Sequence, residues 1–107
     1  MKKSDIARNE KLAEACYLCV LVNNHTDYCV FLNLSGHVSQ ISFSVRESKT
    51  AYQRVLVEDE FYFDEKRMLS RRLNKVIGFL TEILENNRIN YSKLKASGSH
   101  TTYSLFR

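Results

Sequence analysis

Along the chain the spacing of apolar residues changes period twice. Residues 4–15, SDIARNEKLAEA, carry apolar positions at wide, helix-like intervals, with Ser4 or Asp5 as N-cap. Ile6, Leu12, Ala13 and Cys16 are the expected apolar stripe of a short helix laid against a sheet. From Tyr17 the period reads as two. Tyr17 to Val22 is apolar on both faces, as a covered strand would be, and NNHTD supplies turn chemistry before a second strand, Tyr28 to Leu34. Ser35-Gly36 marks the next turn. Residues 38–46, VSQISFSVR, alternate cleanly, with Ile41, Phe43 and Val45 on one face and Gln40, Ser42, Ser44 and Arg46 on the other. A polar loop leads to a fourth strand, Tyr52 to Phe63.

The helical period returns over residues 65–86. Leu69, Leu73, Val76, Ile77, Leu80, Ile83 and Leu84 recur at 3.6 spacing, and Met68 and Phe79 widen the arc to about half the circumference. Asp64 is the expected N-cap, and Asn86, Asn87 and Arg88 end the helix. The remaining residues, 91–107, read as a hairpin about Ser97-Gly98-Ser99 or a flexible tail. The predicted fold is α+β in two layers: an antiparallel four-stranded meander covered by one long C-terminal helix and a short N-terminal helix. With no proline, three glycines and no repeat, residues 1–107 read as a single domain.

Composition narrows the class. A hydrophobic fraction of 44% excludes disorder for the bulk of the chain. The N-terminus has basic residues but no apolar run behind them, and no stretch is long enough to span a membrane. Three cysteines are too few and too uneven for a disulfide scaffold, so a cytoplasmic protein is expected. A net charge of +4 permits a polyanionic partner without demanding one.

Cys16 and Cys19 form the nearest approach to a chemical motif. Zinc sites want such a pair on a tight turn, and redox pairs want it at a helix N-terminus; Tyr17 and Leu18 between them offer neither. Both cysteines therefore read as small apolar packing residues. Glu58, Asp59, Glu60, Asp64 and Glu65 hold enough carboxylates for magnesium, but strand alternation sends Glu58 and Glu60 to one face and Asp59 to the other. His25, His37 and His100 stand apart, and the phosphate-loop, nucleophile-elbow and H-E-x-x-H signatures are missing. No enzymatic activity, metal or cofactor is expected.

Charge placement is more informative. Lys66, Arg67, Arg71, Arg72 and Lys75 crowd the first half of the second helix, while Glu82 and Glu85 lie in its second half, the reverse of what the helix dipole favours. Arg67, Arg71 and Lys75 follow at i, i+4 and i+8 as one ridge, each like-charged neighbour costing about 0.2–0.5 kcal/mol. Two readings stand. Glu58, Asp59, Glu60 and Glu65 neutralise the ridge internally, or it meets phosphates or an acidic protein surface. Arg72 falls inside the apolar arc, where it snorkels or reaches a partner. Gln40, Ser42, Ser44 and Arg46 form a second polar surface suited to a partner or to plain solvent.

Four antiparallel strands followed by a helix is similar in element order to the small single-strand-binding transcriptional coactivators, which dimerise through their helices. The likeness is one of topology. It implies a nucleic-acid-binding module for single-stranded DNA or RNA as the second expectation. The first is a small non-enzymatic interaction protein, an inhibitor or accessory factor, that binds a larger protein partner through the basic ridge and the polar strand face. No membrane contact is expected. A homodimer would use the side carrying Met68, Val76, Phe79 and Ile83.

Overall fold

The computed structural model describes residues 3–96 and 102–106. The chain opens with a long helix, α1 (Lys3–His25), followed by strands β1 (Cys29–Ser35), β2 (Gln40–Arg46) and β3 (Val55–Tyr62). A second helix, α2 (Lys66–Asn86), precedes two short strands, β4 (Lys95–Ala96) and β5 (Tyr103–Ser104). The sheet has five strands in the order β1-β2-β3-β5-β4. β1, β2 and β3 form an antiparallel meander, β5 runs parallel to β3, and β4 returns antiparallel to β5.

The class is α+β, as predicted, but the sheet is mixed and five-stranded, and its meander has three strands rather than four. The difference arises at Tyr17–Val22, which continues α1 instead of forming a strand. Ala15, Cys19 and Val22 are buried at helical spacing, with Leu12 and Leu18 packed beside them. Apolar residues at the intervening positions, Tyr17 and Val20 above all, face outward and disguise the period. The expected inner stripe fails for the same reason: of Ile6, Leu12, Ala13 and Cys16, only Leu12 packs on the core. The element order therefore departs from that of the coactivators, since a helix stands where their first strand would be.

Both helices cover one face of the sheet. Ile41, Phe43 and Val45 of β2, with Val57 and Phe61 of β3, are fully buried beneath them. Phe79 of α2 meets Phe43 edge-on at 6.3 Å between ring centres. The helices lie side by side and run in the same direction: Lys66 reaches Asp5 at 4.0 Å, and Lys11 donates to Asn74 at 3.0 Å. At their far ends the Ile89 N–H donates to the Tyr28 hydroxyl at 3.2 Å.

The side expected to serve a homodimer is consumed here. Val76, Phe79 and Ile83 are buried in the chain's own core, leaving Met68 partly exposed. The predicted C-terminal end of α2 holds, and the predicted N-cap, Asp64, does not. The residue ahead of α2 is Glu65, without a side-chain cap bond, and Asn87 closes the helix in a left-handed conformation, φ 56°. In the C-terminal segment, Lys95 pairs with Ser104 and Ala96 with Tyr103 as a hairpin. Its expected turn, Ser97-Gly98-Ser99, lies outside the described residues.

Candidate binding surfaces

The ridge residues Arg67, Arg71 and Lys75 lie on the outward face of α2, all exposed. Among the described residues none has an ion pair within 4.0 Å. The acids that could have neutralised them are committed elsewhere. Glu65 pairs with Arg72 at 3.6 Å. Glu60 accepts from Gln40 at 3.0 Å, and Glu58 stands on the far side of the sheet, opposite Ser44.

Asp59 is the most distinctive of these acids. It is buried on the helix-covered face of β3, where it accepts a bond from the Ser104 hydroxyl and another from the Leu105 N–H at 2.8 Å. A carboxylate in this position fastens the C-terminal hairpin to the sheet. The hairpin then brings Phe106 edge-on to Phe61 at 5.4 Å, and the Arg72 guanidinium lies 5.4 Å from the Phe106 ring centre. Arg72 is thus half-buried between Glu65 and Phe106, and belongs to the fold more than to the ridge. A cleft of about 320 Å³ opens here, lined by Met68, Arg71, Arg72, Lys75 and Phe106.

The polar strand face lies on the other side of the molecule. Gln40, Ser42, Ser44 and Arg46 alternate with Ile41, Phe43 and Val45, so they point away from both helices. The structure does not bring them together with the ridge. Arg46 is held within the face: its guanidinium sits 4.9 Å over the Phe31 ring, donates to Ser44 Oγ at 3.3 Å and to the Tyr52 carbonyl at 3.1 Å. Ser44 is buried beneath it. The neighbouring strand adds carboxylates, since Ser42 is paired with Glu60 and Ser44 with Glu58.

The cysteines divide across α1. Cys16 is exposed and Cys19 buried. Burial pushes the Cys19 thiol up from 9.0 to about 12, with Cys16 beside it acting in the same direction. A thiol so shifted is a packing group and a poor nucleophile. No described helix is long and apolar enough to cross a membrane.

Sequence reasoning missed a third surface. α1 is apolar on its outer side as well: Ile6, Tyr17 and Val20 are 44%, 62% and 53% exposed, on one line with Ala13. Part of the signal is the run Tyr17–Val22, apolar at every position, which reads equally as a covered strand. Comparison with family models, with curated proteins and with solved structures found no match for this chain.

Proposed function

We propose that the protein is a small non-enzymatic interaction protein, an inhibitor or accessory factor, whose α2 ridge docks on an acidic surface of a larger protein partner. One observation carries this reading: Arg67, Arg71 and Lys75 stand in a row without an acid within 4.0 Å among the described residues. Three like charges so placed repel one another along the helix, and a carboxylate-bearing partner relieves that cost. Met68 and Phe106 beside Arg71 and Lys75 give the surface an apolar component of the kind that anchors protein interfaces.

A nucleic-acid partner is the second reading, supported by the same cations. It is weakened by Glu58 and Glu60, which place negative charge beside Ser42 and Ser44 where phosphates would have to pass. The two readings separate in one experiment. Fluorescence anisotropy of labelled single-stranded DNA, duplex DNA and RNA across a salt series is expected to show no binding at moderate salt. Affinity that falls steeply with salt would put nucleic acid first.

A further inference from the structure

β1 is an edge strand, and among the described residues no strand pairs with its outer edge. Its register with β2 pairs Val30 with Val45, Leu32 with Phe43 and Leu34 with Ile41. The Val30 N–H donates to Asn23 Oδ1 at 2.7 Å and the Val30 carbonyl accepts from Asn23 Nδ2 at 3.0 Å, so the backbone of Val30 faces outward. Alternation places the N–H and C=O of Leu32 and Leu34 on the same outer edge. Among the described residues no turn, side-chain or loop bond engages them. Natural edges are blunted by charge, proline or a bulge. CVFLNLS carries no charge and no proline, and among the described residues the amide of Asn23 is the one side chain bonded to its outer edge.

The α1 line directly above this edge is mostly polar, and apolar surface begins one line farther out. Asn9, Cys16 and Asn23 recur every seven residues, so the helix line that reaches the edge at Val30 runs back through Cys16. The next line outward is Ile6, Ala13 and Val20. At the Leu34 end the groove opens into a cleft of about 270 Å³ lined by Leu12, Leu34, Phe63 and Leu69 together with the polar Asp5, Arg8, Asn9 and Lys66, and Leu34 itself is 56% exposed. We propose that the outer edge of β1 receives an extended peptide segment of a partner protein as an added strand, its apolar side chains packed against Leu34 and the α1 flank that carries Cys16 and Val20.

The other occupants fit less well. A second copy pairing through its own β1 would sit about 4.8 Å away and bring its own covering helix. Packed helices need about 8–10 Å, and α1 already reaches past the edge at Asn23. The two helices would claim the same space. The chain's own C-terminal segment is tied to β3 through Asp59, with β2 and β3 between it and β1. A single extended strand with nothing stacked over it satisfies the open donors and acceptors without that conflict.

The test begins with peptides longer than β1, selected from a phage-displayed random library against the full chain. Leu34→Pro removes one outward N–H and leaves the β1–β2 ladder intact, because proline is tolerated where its nitrogen faces away from the sheet. The expected result is selected peptides with alternating apolar residues, amide-exchange protection at Leu32 and Leu34, and about tenfold weaker binding to Leu34→Pro at unchanged melting temperature. Asn23→Ala, which uncovers Val30, is expected to extend the protection to Val30. Three outcomes overturn the proposal: no selectable peptide, protection confined to other elements, or peptides that bind Leu34→Pro as tightly as the parent. Light scattering that shows a dimer dissolved by Leu34→Pro also overturns it, in favour of a second copy. The ridge lies on a different helix, so failure here leaves the ridge proposal standing, and the reverse holds.

Discussion

Asp59 shows how one residue can be legible in chemistry and illegible in role. Its place in an acidic run suggested solvent or a metal, and strand alternation separated it correctly from Glu58 and Glu60. What the sequence could not supply was the hairpin over forty residues downstream that meets it, because nothing local encodes that contact. Asp59→Ala leaves the Ser104 hydroxyl and Leu105 N–H without this acceptor and is expected to cost roughly 2–3 kcal/mol in denaturant unfolding, with faster exchange of the Leu105 amide. Cys19 offers a test with a defined sign. Its thiol ionises at 9.0 when unfolded but only near 12 in the fold, so the buried neutral form favours folding below pH 9.0. That contribution is lost as pH rises from 9.0 towards 12. Between about pH 8 and about pH 10.5 the parent is expected to lose more stability than Cys19→Val, and alkylation at pH about 8 to label Cys16 well before Cys19. Equal losses in the two proteins would contradict the burial argument.

At the scale of elements, α2, β2 and β3 were readable because each presents one clear face: 3.6-spaced leucines in the helix and strict alternation in the strands. α1 was not. Its inner line of Ala15, Cys19 and Val22 is crossed by an outer apolar line, and two superposed stripes erase the period that separates helix from strand. α2 carries an avoidable weakness in Gly78, where an added Cβ meets nothing within 4 Å. Gly78→Ala is expected to stabilise the protein by about 0.5–1 kcal/mol in thermal or denaturant melts, and a loss of stability would contradict the packing of α2 described here.

For the whole molecule, the sheet separates two polar surfaces that the sequence had grouped together. The side chains of Gln40, Ser42, Ser44 and Arg46 look away from the helices, while Arg67, Arg71 and Lys75 look out from α2, so one flat partner surface cannot meet both. The candidate residues were legible as residues; their grouping required knowing which face the helices cover. Charge reversal on the ridge separates stability from binding, because Arg71→Glu with Lys75→Glu turns the repulsion between positions 67 and 71 into attraction, exchanges one like-charged pair for another at 71 and 75, and places acid nearer the N-terminal half of α2. The measurement that bears most directly on the account is therefore quantitative affinity enrichment from nuclease-treated cell extract, comparing the parent with the Arg71→Glu/Lys75→Glu variant at matched melting temperature. The account predicts a protein partner enriched by the parent and lost with the variant, while a Ser42→Ala change on the open face retains it. Equal enrichment by parent and variant would contradict the ridge as the binding surface.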